Sequence, residues 1–300
     1  MDMISVCICT FKRNLGLQKL LDVLFRQITD GFAYEVIVVD NDKDRGAEAI
    51  IGPIMERVEG RLIYDVEPQQ NIALARNRSV SLATGNYIAF IDDDEQPAEN
   101  WLFELLHAIK KYNADAVFGP VMPVYPSNTP EWIIKGGFFE RPEHEDGTFL
   151  DTGRTGNALV KKDWLDKYEK PFNDVYGLTG GEDSDFFSRI KDEGARFCWA
   201  AKAVVREEIE DARLNRKWLL SRAFRGGQGY ADRLLKSKSM IRKMTHCSMR
   251  LAGALFAQVV AIAMLPAGFY RFVWWQRKVM SNLGQASVVF KYRYEEYKKK

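Results

Sequence analysis

The stretch AFIDDDEQP, residues 89–97, places a row of acids directly after an apolar run. The run Tyr87 to Ile91 predicts a buried β-strand, and the acids that follow it are Asp92, Asp93, Asp94 and Glu95. Like charges at a strand end repel each other, and a divalent cation between them would offset that cost. Oxygen ligands suit Mg²⁺ or Mn²⁺, which bind one or two carboxylates together with substrate phosphates. A solvated acidic turn is the simpler alternative, so the position of these acids in the fold decides between the two.

The segments on either side of this strand alternate between two kinds of pattern. Continuous apolar runs occur in MISVCICTF (3–11), YEVIVVDND (34–42) and RLIYDVEP (61–68). Between them lie segments with helical spacing, such as Leu17, Leu20, Leu21 and Leu24. This alternation predicts an α/β fold with a mostly parallel sheet flanked by helices. Ligands of such sheets bind outside the carboxyl ends of the strands, and both Asp40 and Asp92 are expected at that edge.

The net charge of +2 conceals an uneven distribution along the 300 residues. Residues 233–300 hold 14 Lys and Arg against 2 acids, which leaves 29 basic and 39 acidic residues in 1–232. We therefore expect one domain over 1–232 and a basic tail over 233–300 that meets an anionic surface, either membrane or nucleic acid. The four cysteines have no zinc spacing and the N-terminus has no signal-peptide pattern, which predicts a reducing, cytosolic location.

The tail contains a 19-residue apolar stretch, residues 251–269, in which Gln258 alone is strongly polar. A helix of this length spans roughly 28 Å, close to the ~30 Å hydrocarbon thickness of a bilayer. Basic residues on both flanks disfavour a single span, and Pro266 and Gly268 favour a bend. We expect a helical hairpin that is re-entrant or interfacial on the cytoplasmic face of a membrane, with no nucleic-acid partner; the resemblance given below implies a bacterial inner membrane. A single span and a core helix are the alternatives.

A second acidic site is predicted in GGEDSDFFSRIKDEG, residues 180–194. Acids in the first turn and apolar residues on one face indicate the start of a helix. Asp183 follows two glycines and would face a cleft, where it can take the proton of an attacking hydroxyl as a general base. One base together with a metal-held leaving group predicts a single displacement with inversion. Charge that only stabilises the helix N-terminus is the alternative, and it is the preferred interpretation of Asp185.

These motifs occur together in a known order. ISVCICTFKRN, VIVVDND, NIALARNRSVSLATGNYIAFIDDDEQP, TGNALV and GGEDSDF resemble the family 2 glycosyltransferases over roughly residues 3–230. The resemblance implies the nucleotide-sugar-binding GT-A fold. The branch that looks most similar builds bacterial exopolysaccharides and is typified by succinoglycan glucosyltransferases.

On the donor side, the resemblance assigns roles around the acid run. Asp94 would be the metal ligand, and Asp92 would contact the metal or the ribose, with Asp93 between them. Asp40 would read the nucleobase. Further residues implied at the nucleotide are Thr10, Arg13, Arg76 and Asn77.

On the acceptor side, the resemblance implies Asp183 as catalytic base with Glu182 beside it. Gly156 and Asn157 of TGNALV are expected on a strand that enters the acceptor side, with an ordinary β-turn as the alternative. Glu207, after the strand in AKAVVREE, would be a third metal ligand or lie behind one. The implied cofactor is Mn²⁺ or Mg²⁺.

The chain also departs from parts of the family. Processive members carry a Gln-x-x-Arg-Trp motif, whereas this chain has RLNRKWLL at 213–220, which predicts addition of a single sugar. The implied partners are a nucleotide-diphosphate sugar, a UDP-sugar first, and a glycan on polyprenyl diphosphate. Two other functions remain open from the residues alone, a nucleotidyltransferase acting on a sugar phosphate and a non-catalytic membrane scaffold.

Overall fold

A computed structural model describes residues 1–58, 60–235 and 238–290. Its strands are β1 (Asp2–Thr10), β2 (Phe32–Asp40), β3 (Leu62–Val66), β4 (Tyr87–Phe90), β5 (Glu95–Pro97), β6 (Ala116–Phe118), β7 (Val121–Val124), β8 (Phe149–Leu150), β9 (Ala158–Lys161), β10 (Phe197–Trp199) and β11 (Val205–Glu208). Its α-helices are α1 (Asn14–Leu24), α2 (Glu48–Arg57), α3 (Ile72–Leu82), α4 (Trp101–Lys111), α5 (Glu131–Gly136), α6 (Lys162–Asp166), α7 (Glu182–Asp192), α8 (Arg216–Leu235), α9 (Met240–Met264) and α10 (Phe269–Ser287).

Eight strands form the main sheet, in the order β3-β2-β1-β4-β9-β6-β10-β8. Strands β3, β2, β1 and β4 run parallel to one another. Strand β9 runs antiparallel to both β4 and β6, and β10 is parallel to β6. The predicted fold class is confirmed, as a mixed sheet with helices on it. The strands predicted around residues 3–11, 34–42 and 87–91 are present within about two residues of their predicted ends.

Apolar side chains on both faces of the sheet explain why these strands read as continuous runs. Alternate residues of β1 and β2 belong to two separate clusters: Ile4, Val6 and Ile8 pack with the buried face of α1, while Cys7 packs with α3 and α7 residues. Covering both faces removes polar positions from the strands, which is the pattern expected of a parallel sheet between helices.

A second sheet has three strands in the order β5-β11-β7. β5 and β11 are antiparallel, and their register sets Glu207 directly opposite Glu95. Like charges in such a pair repel each other unless a cation lies between them. The last acid of the run 92–95 is therefore fixed by a strand pairing.

Two compact units divide the described chain, one with residues 1–123 and 141–207, the other with residues 124–140 and 208–290. The predicted domain boundary at 232/233 falls inside α8, whereas this division falls at 207/208. The second unit also takes in α5, a six-residue helix that the sequence analysis did not predict. α5 belongs there because its buried Ile133 shares an apolar cluster with Leu219 and Val273.

Helices α9 and α10 of the second unit form a hairpin. α9 ends in a 3-10 turn, Leu265–Ala267, and Gly268 with φ 123° starts α10, so Pro266 and Gly268 mark the reversal as expected. Met240–Ala267 is the one segment among the described residues that is long and apolar enough to cross a membrane, by length and composition alone, and 17% of its most apolar window is buried. A core helix would be mostly buried. Lys236 and residues 291–300, which carry part of the predicted basic flanks, lie outside the described residues.

Candidate active site

The carboxyl ends of β1, β2 and β4 meet at one edge of the main sheet. Thr10 pairs with Asp40 at the last register position of β1 and β2, and β4 runs parallel on the other side of β1. The acids that follow β4 are thus placed beside Thr10. This is the edge at which ligands of open α/β sheets bind.

Asp93 and Asp94 are held by residues that follow β1. Thr10 donates from Oγ1 to Asp93 Oδ2 at 2.8 Å, and Arg13 Nη1 lies 3.0 Å from Asp93 Oδ1 and 2.9 Å from Asp94 Oδ2. Burial raises the pKa of Asp93 to about 6, although the Arg13 cation opposes that shift. The predicted group Thr10, Arg13, Asp93 and Asp94 is therefore brought together, with Asp93 buried and Asp94 closer to solvent.

The carboxylate of Asp40 accepts hydrogen bonds from other groups of the protein. Oδ1 accepts the N–H of Asp42 at 2.9 Å, and Oδ2 accepts the N–H of Ala47 at 2.9 Å and the hydroxyl of Tyr64 at 3.0 Å. Asp40 is fully buried. These bonds shape the loop between β2 and α2, and the nucleobase contact that the resemblance implies for Asp40 stays a prediction.

A buried ion pair joins the two acidic motifs. Arg76 on α3 pairs through Nη1 with Glu182 Oε1, and its Nη2 lies 3.5 Å from Asp92 Oδ1. Burial raises the pKa of Glu182 to about 7 against the pull of Arg76, and Glu182 Oε2 has no hydrogen-bond partner within the described residues. Arg76 thus lies between the predicted metal side and the predicted base side.

Asp92 keeps 46% of its side-chain surface accessible, although protein groups surround it. This partial desolvation raises its pKa, and the Asp94 and Glu207 carboxylates raise it further, while Arg76 and Arg141 lower it. Asp92 is therefore the most exposed acid of the run, although charged side chains surround it.

The predicted base Asp183 lies in the first turn of α7, next to Glu182. Gly180 and Gly181 before it have φ values of 74° and 100°, which let the chain turn sharply into the helix. Asp183 Oδ1 accepts the N–H of Ser184 at 2.6 Å and Oδ2 accepts a long 3.4 Å bond from the N–H of Thr155, so Oδ2 has capacity left for a substrate hydroxyl. Asp185, by contrast, is buried and paired with Arg189 at 3.0 Å, in keeping with a structural role.

Asn77 and Asn157 form hydrogen bonds within the protein, and the substrate contacts expected of them and of Gly156 stay predictions. Gly156 and Asn157 lie in a turn before β9, and not on a strand as expected. Asn157 is fully buried with φ 60°, accepts from the Trp101 indole at 2.8 Å and donates to the Pro120 and Ala203 carbonyls. Asn77 exchanges two hydrogen bonds with the main chain of Phe172, at 2.7 and 2.9 Å. The Asn77 side chain thus bonds to backbone groups, and the Asn157 side chain bonds to two backbone carbonyls and the Trp101 indole.

Sequence reasoning missed two residues of the site, Glu95 and Arg141. Glu95 is 1% exposed, accepts the N–H of Asp92 through Oε2 at 3.1 Å and lies 3.7 Å from Arg141 Nη1. Arg141 also pairs with Glu207, the predicted third metal ligand. Burial raises the pKa of Glu95 well above its usual range, and Asp92 adds to the shift. The place of Glu95 in the acid run was a signal for it, whereas nothing in the sequence around Arg141 pointed to the cleft.

Gly156 completes this corner of the site. A Cβ at this position would lie 3.1 Å from Glu95 Oε1 and 3.4 Å from Asp92 Oδ2. A glycine therefore lets the loop before β9 approach the two carboxylates closely.

The fit to a divalent metal rests on Asp92 and Asp94. Within the described ranges, no group of three or more His, Cys, Asp or Glu side chains is placed to hold a metal ion. Mg²⁺ is nevertheless commonly held by one or two carboxylates and completes its shell with waters and substrate phosphates. The two carboxylates fit an ion that arrives with a nucleotide, provided that Arg13 releases Asp94. Glu207 fits less well because its charge is already paired with Arg141.

Comparison with known proteins gives consistent matches. The model of the family described as "Glycosyl transferase family 2" matches residues 5–169. The succinoglycan biosynthesis protein ExoM of Rhizobium meliloti (strain 1021) is 30% identical over 269 residues, 89% of this chain and 87% of that protein. The glycosyltransferase AglE of Haloferax volcanii is 25% identical over 241 residues, 80% of this chain and 77% of that protein.

Among solved structures, S. aureus TarS residues 1–349 in complex with UDP superposes with a TM-score of 0.57 at 15% identity, covering 98% of this chain and 93% of that one. At this identity the likeness bears on the fold alone. The fold, the acid-tipped strands at one sheet edge and the match over more than half of the sequence agree with one another: the chain belongs to glycosyl transferase family 2 and has the GT-A fold.

Proposed function

We propose that this glycosyltransferase moves one sugar from a nucleotide-diphosphate sugar to a lipid-linked oligosaccharide, with inversion, in bacterial exopolysaccharide synthesis. The observation that carries the proposal is the Arg76 bridge, which links Asp92 of the acid run to Glu182, the neighbour of Asp183. One cleft thereby receives a pair of carboxylates that suit a metal-bound diphosphate and a separate carboxylate that suits a general base.

The residues divide the chemistry between them. Asp183 would accept the proton of the acceptor hydroxyl as that oxygen attacks the anomeric carbon, while Glu182, fixed by Arg76, would orient the acceptor. Asp92 and Asp94 would hold Mn²⁺ or Mg²⁺, which when bound neutralises charge on the departing diphosphate. A single base on the acceptor side favours one displacement step, and hence inversion.

The donor and pathway are proposed from the relatives. UDP is the first candidate nucleotide, since a neighbour in fold is described as a complex with UDP. Exopolysaccharide synthesis is proposed because one relative is named for succinoglycan and another, 34% identical over 150 residues, for amylovoran biosynthesis in Erwinia amylovora. A glycan on polyprenyl diphosphate remains the proposed acceptor.

The second unit supports a location at the cytoplasmic face of the membrane. The exposed apolar side chains of α9 include Leu251, Leu255, Phe256, Val259 and Ile262. Residues 233–294 contain no Asp or Glu. An apolar surface within a purely basic segment matches an anionic membrane, where acceptors on polyprenyl carriers are also held.

The test is a pair of substitutions in the first turn of α7. Asp183→Asn should lower kcat by about 10² to 10⁴-fold, the usual contribution of a general base, with UDP binding in calorimetry near wild type. Asp185→Asn is the matched control, because it removes the same charge from the same turn at a residue paired with Arg189. Its kcat should stay within a few-fold of wild type.

The metal and the stereochemistry are tested separately. Asp94→Asn, or EDTA, should abolish transfer while the fold stays intact. NMR of the product should show an inverted anomeric centre. Full activity of Asp94→Asn in EDTA would refute the metal assignment, and a retained configuration would refute the single displacement.

A further inference from the structure

A recess of about 200 Å³ opens where the α9–α10 hairpin reverses direction. The residues of its lining used below are Lys135, Tyr270, Arg271, Trp274 and Trp275, all of the second unit. Its volume is several times the ~30 Å³ that a water molecule occupies in the liquid. The recess lies in the second unit, whereas the acidic residues described above belong to the first.

Arg271 is held in the recess by its neighbour Tyr270. Its Nε donates to Tyr270 Oη at 3.0 Å, and its guanidinium lies 5.6 Å from the centre of the Tyr270 ring. Across the part of the chain that the structure describes, Arg271 has no carboxylate partner, whereas Lys135 is already paired with Glu131 at 2.8 Å. A pre-oriented cation without a protein anion is what an external phosphate requires.

The rim of the recess is aromatic and apolar. Trp274 and Trp275 pack with their ring centres 5.3 Å apart, and Lys278 Nζ lies 4.8 Å from the Trp274 ring. Leu265 and Phe269 next to the reversal are 49% and 42% exposed. Tryptophan and tyrosine beside cations are typical of the interface between membrane headgroups and hydrocarbon.

The charge and the hydrophobicity of the recess together indicate which kind of ligand it binds. Residues 233–294 have no acid, and Glu131 beside the recess is paired with Lys135, so the surface offers little to a basic partner. A free phosphate would satisfy Arg271 and leave the exposed leucine and phenylalanine in water. A molecule with an anionic head and a hydrocarbon chain satisfies both.

We propose that this recess binds the phosphate headgroup of an anionic phospholipid, with its chains along the exposed apolar side chains of α9. The proposal rests on the membrane location proposed above and adds a specific binding site to it. It predicts that attachment depends on Arg271 and Trp274 more than on the net charge of the hairpin.

The experiment measures binding of the full-length protein to vesicles of phosphatidylcholine with and without phosphatidylglycerol. Arg271→Ala should weaken binding to the anionic vesicles by about 10-fold or more. Arg242→Ala is the matched control, since it removes the same charge near the start of α9, more than 20 residues from the reversal. Its loss should stay near the roughly 5-fold that one surface cation contributes. Trp274→Ala should weaken binding to both kinds of vesicle.

Competition identifies the source of the phosphate. Short-chain phosphatidylglycerol below its micelle concentration should displace the protein from vesicles, and inorganic phosphate at equal concentration should not. Equal losses for Arg271→Ala and Arg242→Ala, or equal competition by inorganic phosphate, would overturn the inference. UDP binding with Mn²⁺ is measured in the same samples. Protein that binds UDP but no vesicles contradicts the membrane location and the lipid site but not the proposed transfer reaction, and protein that binds vesicles but no UDP contradicts the transfer reaction alone.

Discussion

Glu95 is the residue through which the acid run is held to the rest of the site. Its side chain accepts the N–H of Asp92, and its own N–H donates to the carbonyl of Asp92 at 3.1 Å. Arg141 provides the countercharge. We infer that Glu95 sets the direction in which Asp92 presents its carboxylate.

A double-mutant cycle tests this role of Glu95. Glu95→Ala removes the acceptor for the Asp92 N–H and should weaken Mn²⁺-dependent UDP binding by about 10-fold, a cost of ~1.4 kcal/mol. In an Asp92→Asn background the same change should cost little more, since contacting residues are not additive. Glu95→Gln keeps an acceptor oxygen and should restore most of the binding.

The control is Glu35→Gln, a buried carboxylate on β2 that accepts from Ser5 and Thr84. It should lower stability and leave UDP binding unchanged. If Glu95→Ala weakens binding equally with and without Asp92, the residue does not act through Asp92.

The raised pKa of Glu182 predicts an unusual dependence of stability on pH. A carboxyl whose pKa rises from 4.5 to about 7 on folding holds its proton more tightly in the native state. Its contribution to stability is complete below pH 4.5 and is lost as the pH rises through 7, by roughly 3 kcal/mol at 1.36 kcal/mol per pKa unit. The stability of Glu182→Gln should thus match wild type near pH 5 and exceed it at pH 8. Urea unfolding at both pH values measures this, and a wild type more stable than the variant at pH 8 would show that the attraction to Arg76 outweighs desolvation.

Single residues were predictable where a carboxylate follows a strand or begins a helix. Asp92, Asp94, Glu182 and Asp183 carry that signal in their neighbours, and in the structure Arg76 contacts both Asp92 and Glu182. The amides of Asn77 and Asn157 do not, because a short motif cannot show whether an amide bonds to a ligand or to distant main chain. Arg141 was missed since its partners come from β5 and β11, far from it in sequence.

At the scale of elements, the apolar patterns predicted β1, β2, β3 and β4 because each of these strands is long enough to show its pattern, whereas the three-residue strands β5 and β6 were not predicted. β7, α5 and β8 are too short for that, and each depends on contacts with segments far along the chain. The bend between α9 and α10 was predicted from Pro266 and Gly268, which interrupt an apolar run.

Adjacent glycines on α8 provide a test of how closely two helices pack. A Cβ on Gly227 would lie 2.1 Å from the carbonyl oxygen of Ser281 on α10, whereas a Cβ on Gly226 would meet no atom within 4 Å. Gly227→Ala should destabilise the protein by about 1–3 kcal/mol through overpacking. Gly226→Ala should stabilise it by up to ~1 kcal/mol, the difference in helix propensity. Thermal unfolding of the two variants compares them, and a stabilised Gly227→Ala would contradict the close approach of α8 and α10.

The acidic site residues lie in the first unit, whereas the basic, apolar α9–α10 hairpin lies in the second. If the hairpin lies at the membrane without crossing it, both ends of the hairpin remain on the cytoplasmic side. A cysteine introduced at residue 300 should then be labelled from the same side as one introduced at Lys43, an exposed position of the catalytic unit. Labelling of residue 300 from the periplasmic side alone would establish a single span. Release of the protein by high salt would indicate electrostatic attachment without insertion.

The second unit joins segments that are made at different times. Trp132 of α5 packs at 5.2 Å from Phe269 of α10, and 137 residues separate the two in sequence. At 5–20 residues per second, the ribosome needs roughly 7–27 s to produce the partner. During that interval Trp132 lacks its contact with Phe269, and the Ile133 cluster lacks Val273, although Phe138 and Leu219 of that cluster are made earlier. The apolar surface of α5 therefore stays partly uncovered in the nascent chain until translation is nearly finished. Chaperone binding to α5 would precede attachment to the membrane.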